Sequence, residues 1–255
     1  MSTEPDDLEL VHGGRAVAAL LEARPGDCKR VWLTPQAASE DPRLVDFAQR
    51  AHLRVIRAAE AELTRLVHTP NHEGAVVEAA ERPWLSVSEL ADRLVADRGL
   101  CVVLDRVRNP HNVGAIVRSA AFFGASAVLL GSPAPHPGLA PDAVRVAEGG
   151  AERLAFARTT DLAGTLDRLK SRGVHVVGAE SDVEASLFGA ELRGPSAIVV
   201  GHEVEGIAPR VRARCDAMVT IPGTGAVGSL NVAISASLFI AEWARSRSGR
   251  RRQGQ

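Results

Sequence analysis

The residues best suited to chemistry lie in three loops rich in glycine, asparagine and proline. Each loop follows an apolar run that predicts a buried strand, and each precedes a predicted helix or turn. Their sequences are RVRNPHNVG at 106–114, GHEVEGI at 201–207 and PGTGAVGSLN at 222–231. Glycines let a ligand approach the backbone, and the first turn of a helix offers amide groups that lack intrahelical acceptors. The three loops together therefore predict a ligand site.

The third loop also matches a dinucleotide-binding pattern. Gly223, Gly225 and Gly228 spell G-x-G-x-x-G after a predicted strand and before a predicted helix. That fingerprint belongs to the first turn of a βαβ unit, in which a second strand follows the helix. No second strand is predicted after this loop, so the sequence disfavours an NAD-dependent oxidoreductase.

Other well-known site patterns are missing from the sequence. It contains no GxxxxGK[ST] phosphate loop, no HExxH and no GxSxG. The eight histidines are scattered. The three cysteines, Cys28, Cys101 and Cys215, have no CxxC spacing. Neither a metal site nor a disulfide framework is predicted.

The three loops, in this order, resemble the three motifs of the SpoU/TrmH family of RNA 2′-O-ribose methyltransferases. The first match is NPHNVG at 109–114 together with Arg118, six residues after Asn112. The second is GHEVEG at 201–206, similar to G-x-E-x-x-G, and the third runs from Ile221 to Val232. Near the N-terminus, VHGGRAVAALLEA and NHEGAVV resemble the L30e-like RNA-binding domain that precedes the catalytic domain in ribosomal RNA members. The resemblance covers nearly the whole chain.

The resemblance implies a fold and a cofactor. The fold is α/β: a small L30e-like domain followed by a trefoil-knotted α/β domain with a parallel sheet, as in the SPOUT superfamily. The cofactor is S-adenosylmethionine, lying among the three loops. By the motif match, backbone near Gly201, Ile221 and Leu230 holds it, and Gly206 keeps the second loop tight.

The implied reaction is in-line attack of a ribose 2′-hydroxyl on the sulfonium methyl group. The resemblance assigns activation of the hydroxyl to Arg118, as a base or as an electrostatic stabiliser. A guanidinium with a pKa above about 12 is a poor base at neutral pH, which favours stabilisation of the developing alkoxide. Asn112 and Asn231 can donate and accept hydrogen bonds, and Glu203 can anchor Arg118 or accept from the substrate. Ser229 can position the hydroxyl or cap the final helix.

Two departures from the family pattern keep a second hypothesis open. Gly223 stands where many members carry a larger apolar residue, and Gly228 where a longer polar residue often precedes Ser-Leu-Asn. Both departures loosen the third loop and bear on cofactor affinity. The alternative is therefore a noncatalytic RNA-binding or ribosome-assembly factor on the same fold. For an enzyme, the L30e-like region favours ribosomal RNA as the substrate, with tRNA as the alternative. The resemblance implies a homodimer whose active site draws on both subunits, and the closing helix, with Leu230, Ile234, Leu238 and Trp243, is a candidate for interface as well as core.

The elements that must position these loops follow from the hydrophobic periodicity. Strand patterns alternate with amphipathic helices, which predicts a parallel sheet of about five strands after residue 97. Asp41, Asn112 and Asp161 are predicted helix N-caps, and Gly173 a helix stop. We predict a substrate-binding domain over 1–80, a linker over 81–96, a methyltransferase domain over 97–246 and a basic disordered tail over 247–255.

The overall composition describes a globular chain. Hydrophobic residues make up 45% of the 255 positions, charged residues 24%, and the net charge is −1. No membrane span or secretory signal is predicted, so we expect a cytoplasmic protein. The near-neutral charge argues against a strongly basic nucleic-acid binder. The last eleven residues, however, carry five arginines and no acid, and they can either contact phosphate or remain a solvated end.

Overall fold

The computed structural model describes residues 8–133, 138–190, 192 and 194–251, with side chains as far as Arg247. The strands are β1 Leu8–His12, β2 Cys28–Leu33, β3 Val55–Arg57, β4 Ala75–Ala80, β5 Trp84–Leu85, β6 Leu100–Asp105, β7 Ala127–Gly131, β8 Ala155–Thr159, β9 His175–Ala179, β10 Ser196–Val200 and β11 Ala217–Val219. The helices are α1 Gly14–Ala23, α2 Pro35–Glu40, α3 Arg43–Arg50, α4 Glu60–Val67, α5 Val87–Asp97, α6 Pro110–Phe122, α7 Pro141–Val146, α8 Leu162–Ser171, α9 Pro209–Arg212 and α10 Val232–Arg251.

The first of two compact units combines two separate stretches of chain. It contains the residues up to Pro83 together with Leu139–Arg153. Its four-stranded sheet has the order β1-β4-β2-β3, antiparallel except for the β2–β3 pair. From the later stretch, α7 packs against β1, and the 3₁₀ turn Gly150–Glu152 packs against α1. The first unit thus contains the domain expected over 1–80 and, in addition, a stretch that the sequence prediction assigned to the methyltransferase domain.

Two arginines and two glutamates tie this later stretch into the first unit. Glu152 is almost fully buried and accepts hydrogen bonds from Arg24 Nε at 2.8 Å and Arg82 Nη2 at 3.2 Å. Arg24 Nη2 also donates to Glu9 at 2.6 Å, and Arg82 Nε lies 3.3 Å from the same carboxylate. Each buried charge therefore has partners of the opposite sign, which offsets the cost of removing it from water.

The second unit is built on a seven-stranded sheet. It contains Trp84–Gly138 and the chain from Leu154 onward. The strand order is β11-β9-β10-β6-β7-β8-β5, and every pair is parallel. All six residues of β6 are buried, as expected for a strand covered on both faces. The predicted α/β class with a parallel sheet is confirmed.

Several elements differ from the sequence predictions. The sheet has seven strands because β5 and β8, which are short or carry polar residues, complete one edge. The stretch 81–96, predicted as a linker, holds β5 and most of α5, and Ser86 begins α5 with a full capping box. α10 continues to Arg251, into the predicted tail of 247–255, because no proline interrupts this arginine-rich stretch. The rest of that tail, 252–255, lies outside the described residues.

The predicted helix ends were partly correct. Asp161 caps α8 by accepting from the Gly164 amide, and Gly173 follows the helix with a φ of 83°. Asp41 ends α2, and its carboxylate also accepts from the Arg43 amide at 3.2 Å at the start of α3, as predicted for a cap followed by Pro42. A short helix that sequence reasoning missed, α2, occupies the residues before it, starting at a Thr34 cap.

Candidate active site

The three candidate loops leave the sheet at the carboxyl ends of β6, β10 and β11. β6 and β10 are neighbouring parallel strands, and β9 separates β10 from β11. Parallel strands end at the same edge of a sheet, where ligands of open α/β folds bind. The topology thus brings the first loop to the same edge as two loops that follow it about a hundred residues later in the sequence.

One chain of hydrogen bonds joins the three loops. Asn112 Nδ2 donates to Glu203 Oε1 at 2.8 Å, and Asn231 Nδ2 donates to Asn112 Oδ1 at 3.1 Å. Asn231 Oδ1 in turn accepts from the Ala233 amide at 2.8 Å. Both amide groups use a donor and an acceptor, so the chain fixes which way each amide points. Three of the five predicted catalytic residues therefore meet in the structure.

The first turn of α6 explains why Asn112 is available for this role. The N-cap of α6 is Asn109, whose side chain accepts from the His111 amide at 2.9 Å, and Pro110 follows at the first helical position. Asn112, predicted as an N-cap, instead lies inside the first turn. Proline at the first helical position is the signal that identifies Asn109 as the cap.

Asn231, rather than Ser229, begins the last helix. Its side chain accepts from Ala233, and its carbonyl accepts from the Ser235 amide at 2.9 Å. Ser229 is exposed in the loop two residues earlier. The cap role considered for Ser229 therefore belongs to Asn231, which serves the loop junction and the helix start together.

Arg118 lies on the same helix as Asn112. It is exposed, and its Cα lies six residues further on, which corresponds to about 9 Å along the helix axis. Neither of the hydrogen bonds that join the loops involves Arg118. Its exposed guanidinium is suited to contact a substrate group.

Arg106, which sequence reasoning missed, holds the second loop from the first. Its Nη2 donates to the Gly206 carbonyl at 3.1 Å, and its Nη1 hydrogen bonds Glu205. The preceding Asp105 is buried and accepts from the Ala208 amide at 2.6 Å. Burial disfavours the charged form of Arg106, but its bonds to Asp105 and Glu205 outweigh this and raise its pKa. No sequence signal identifies this residue, since it looks like one more loop arginine.

The backbone of Arg106 has an unusual conformation. Its φ is 59°, in the left-handed region where a residue with a side chain is disfavoured by about 1–2 kcal/mol. The Arg106 amide also donates to the Gly131 carbonyl at 2.9 Å. The left-handed turn sends the side chain toward the second loop.

The second loop closes tightly on itself. His202 and Gly206 exchange two backbone hydrogen bonds of 2.9 and 3.1 Å. A Cβ on Gly201 would lie 2.2 Å from the Gly206 carbonyl carbon, so only glycine fits there. Gly206 itself has a φ of 67°, which glycine adopts readily. The spacing of these two glycines is therefore a requirement of the turn.

The third loop is exposed, and its backbone amides are not paired with other backbone groups. Ile221 is half-buried, and residues 222–231 are all exposed. No backbone amide of 221–231 donates to the backbone of another described residue. Added Cβ atoms on Gly223 or Gly228 would meet nothing within 4 Å. The loop therefore offers unused amide donors beside exposed apolar side chains at Val227 and Leu230.

Nothing in the described part of the chain suggests metal or cysteine chemistry. Those residues contain no group of three His, Cys, Asp or Glu side chains that could hold a metal ion. Burial raises the pKa of the Cys28 and Cys215 thiols to about 11, which disfavours the nucleophilic thiolate. No helix among the described residues has both the length and the apolar character needed to cross a membrane.

Comparison with known proteins decides the family. Residues 99–241 match the SpoU rRNA Methylase family, and residues 10–84 match the family described as RNA 2′-O ribose methyltransferase substrate binding. The chain belongs to the SpoU family.

Relatives of this SpoU family member are similar over nearly their whole length. The 23S rRNA (guanosine-2′-O-)-methyltransferase RlmB of Pseudomonas syringae pv. tomato is 35% identical over 96% of this chain and 98% of its own. The protein of the same name from Ralstonia nicotianae is 36% identical, over 94% and 96%.

Solved structures agree on the fold. An RNA 2′-O ribose methyltransferase superimposes with a TM-score of 0.74 and 26% identity, covering 95% of this chain and 90% of that one. The SpoU methyltransferase AviRb from Streptomyces viridochromogenes, solved with AdoMet, has a TM-score of 0.78 at 24% identity, covering 94% of this chain and 91% of that one.

The SpoU family member is thus an enzyme rather than a noncatalytic RNA-binding factor. It transfers a methyl group from S-adenosylmethionine to a ribose 2′-hydroxyl of RNA, and its relatives favour ribosomal RNA over tRNA as the substrate. The site fits this cofactor. The free amides of the third loop can bind its polar groups, and the apolar side chains of Val227 and Leu230 can cover its carbon atoms.

Proposed function

We propose that this enzyme methylates the 2′-hydroxyl of a guanosine in 23S ribosomal RNA. Two relatives that carry this activity in their names align with at least 94% of the chain. The observation that carries the proposal is the hydrogen-bonded junction of Asn112, Glu203 and Asn231, which joins all three family motifs at one edge of the sheet.

We assign the site residues the following roles. S-adenosylmethionine supplies a sulfonium methyl that is already activated, so the protein needs mainly to align the partners. Such alignment can supply about 7–11 kcal/mol of the barrier. Backbone near Gly201, Ile221 and Leu230 holds the cofactor, and Gly206 keeps the second loop closed. These assignments are supported by the tight second loop and the unpaired amides of the third.

The remaining side chains act on the ribose. Arg118 orients the RNA phosphate and stabilises the developing alkoxide. The Asn112–Glu203–Asn231 junction holds the first and third loops in register. Because Glu203 Oε1 accepts from Asn112, the carboxylate is oriented with its other oxygen available to the substrate hydroxyl. Ser229, exposed near the junction, positions that hydroxyl.

Three broader features complete the proposal. The catalytic domain has the family's trefoil knot, the enzyme acts in the cytoplasm where ribosomal RNA is found, and it functions as a homodimer. The dimer is supported by exposed apolar side chains on α10, at Ile234 and Leu238, and on α6, at Phe122, whose side chain is 83% exposed.

The test is methyl transfer to 23S rRNA from a strain that lacks the enzyme. Labelled cofactor should place the methyl group on one guanosine ribose. Arg118→Ala should lower the rate at least 100-fold while the cofactor dissociation constant, measured by calorimetry, changes less than threefold. The control is Arg93→Ala, an exposed arginine on α5 that pairs only with Asp97. Label on a base or on tRNA alone would contradict the assignment, as would full activity in Arg118→Ala.

A further inference from the structure

A basic edge lies on the first unit, away from the three loops in sequence. Residues 47–59 contain Arg50, Arg54, Arg57 and His52 and not one acidic residue, although the whole chain carries a net charge of −1. The segment covers the end of α3, the following turn and β3. Arg50, Arg54 and Arg57 are all exposed, and we call them the basic edge.

The three arginines differ from most others of the same unit in their pairing. None of them has a described carboxylate within 4.0 Å, as judged from the ion pairs of the described residues. Arginines of the unit that are paired in this way are Arg15, Arg24, Arg30, Arg43, Arg82, Arg145 and Arg153. Arg50 also lies over the Phe47 ring, 5.8 Å from its centroid. An arginine that no carboxylate neutralises can pair with a phosphate of RNA, and the cations condensed on the RNA are then released with a gain in entropy.

The other phosphate site that this unit could offer is already filled. A helix N-terminus attracts anions, and α1 begins at Gly14. The Gly14 amide, however, donates to the Glu73 carboxylate at 3.0 Å. Arg145 covers the same end, since a Cβ on Gly13 would lie 2.7 Å from its side chain. A phosphate would have to displace a carboxylate there, so the unpaired cations are the better anion site.

The geometry of the basic edge suits a backbone rather than a single ion. β3 is the outermost strand of the four-stranded sheet, so one of its sides has no neighbouring strand. Arg54 and Arg57 are three residues apart along an extended segment, which separates their Cα atoms by about 10 Å and turns their side chains to opposite faces, on either side of the open edge. Each guanidinium offers a planar fork of donors that matches a phosphate. Charges spread over such a distance contact successive phosphates of a chain.

We propose that the basic edge binds the phosphate backbone of the substrate RNA. This inference rests on the proposed function, since the RNA is its substrate. Phosphate contacts carry no sequence information and fix the position of the RNA. The basic edge therefore contributes affinity and leaves the methyl transfer itself unchanged.

The test compares two triple variants of the full-length enzyme. Arg50→Gln/Arg54→Gln/Arg57→Gln removes the basic edge. Arg30→Gln/Arg43→Gln/Arg153→Gln removes three exposed arginines that are paired with acids, so both variants lose the same net charge. Binding of a 23S rRNA transcript is measured between 0.1 and 0.4 M salt, together with KM, kcat and cofactor affinity.

The basic-edge variant should show a shallower salt dependence. Each phosphate contact contributes about 0.7–0.9 to the slope of log affinity against log salt, so three contacts contribute about 2. Affinity at 0.1 M salt should fall on the order of 100-fold, with the difference vanishing toward 1 M. KM for RNA should rise, while kcat and cofactor affinity stay unchanged. The paired-arginine variant should retain the wild-type slope.

Two results would overturn the proposal: a wild-type slope in the basic-edge variant, or equal losses in both variants. A lysine version of the basic edge keeps the charges and should retain the slope, which guards against misfolding of the glutamine variant. Salt slopes are measured whether or not the transcript is methylated. Failure of the basic edge is thereby distinguished from failure of the proposed function.

Discussion

At the scale of single residues, Arg106 shows how one backbone angle can organise a site. Its left-handed φ of 59° directs the guanidinium to the Gly206 carbonyl and to Glu205, so it holds the loop assigned to the cofactor. We predict that Arg106→Ala and Arg106→Gly both weaken binding of S-adenosylmethionine by several-fold, as measured by calorimetry, because both lose these hydrogen bonds.

The two substitutions should differ in stability. Glycine adopts positive φ freely. The free energy of unfolding of Arg106→Gly, measured by chemical denaturation, should therefore be about 1 kcal/mol higher than that of Arg106→Ala. Unchanged cofactor affinity in both variants would show that the second loop keeps its shape without Arg106. Equal stability of the two would contradict the backbone argument.

Sequence reasoning at this scale located the loops and the residues that join them. The motif match placed Asn112, Glu203 and Asn231 in three separate loops, and the structure connects all three. The details of capping were less accessible. Asparagine stands at both 109 and 112, and only Pro110 distinguishes them. The role of Arg106 could not be predicted, because it depends on a backbone angle that the residue type does not reveal for an arginine.

At the scale of elements, the stretch Leu139–Arg153 is bound to the first unit by buried charges. Glu152 is paired with both Arg24 and Arg82. We predict that Glu152→Ala lowers the free energy of unfolding by about 3 kcal/mol, because it removes the most buried carboxylate of the cluster and leaves Arg24 and Arg82 to share Glu9. Glu22→Ala, which breaks an exposed pair with Arg153, should cost less than about 1 kcal/mol. Urea denaturation followed by fluorescence measures both, and equal losses would show that the cluster adds no stability.

A buried histidine gives the same unit a pH dependence. Burial lowers the pKa of His12, and Arg145 and His72 act in the same direction, while Asp142 and the backbone of Asn71 oppose them. A lowered pKa in the folded state means that the unfolded chain takes up the proton first as pH falls. The stabilising contribution is present above the unfolded pKa of about 6.5 and is lost below it.

We therefore expect the thermal midpoint of the wild type to fall more between pH 7.0 and pH 5.5 than that of His12→Gln. The comparison uses the change with pH rather than the absolute midpoint, because the substitution can alter packing as well. Groups with ordinary carboxylate pKa values titrate mostly below this window. Parallel pH profiles for the two proteins would show that His12 does not titrate in the window.

Sequence patterns recovered the long elements and missed some of the short ones. Runs such as LCVVLD predicted β6 correctly because five of the six residues are apolar. All six are buried in the structure. The two-residue β5 and the six-residue α7 carry too few residues for a periodic signal. The order along the chain does not reveal that Leu139–Arg153 belongs with the first unit. Glu152, which holds this stretch, lies more than a hundred residues from its partner Arg24.

At the scale of the whole molecule, net charge was a poor guide to function. A value of −1 argued against a nucleic-acid partner, yet the chain belongs to a family of RNA methyltransferases. The reason is that the sum counts every acid and base equally wherever it lies, so it hides arginines, such as those of the basic edge, that have no neighbouring acid. RNA recognition depends on where unpaired charge lies, which the composition does not record.

The proposed dimer is the last feature that can be tested at this scale. Ile234 and Leu238 are one helical turn apart on α10, 54% and 38% exposed, and so form an apolar face. In a twofold dimer each side chain is present once in each subunit, so Ile234→Asp/Leu238→Asp removes four apolar groups from the interface. At about 1.5 kcal/mol or more for each group, the dimer dissociation constant should rise by a factor on the order of 10⁴.

Sedimentation velocity at micromolar concentration should then show a dimer for the wild type and a monomer for the double variant. The control is Val95→Asp on α5, a side chain that is 43% exposed on another helix and should leave the dimer intact. We expect methyl transfer to fall in parallel with dissociation, because the resemblance to the family implies a site built from both subunits. A fully active wild-type monomer would mean instead that the exposed face of α10 serves another contact, and that one chain supplies the complete site.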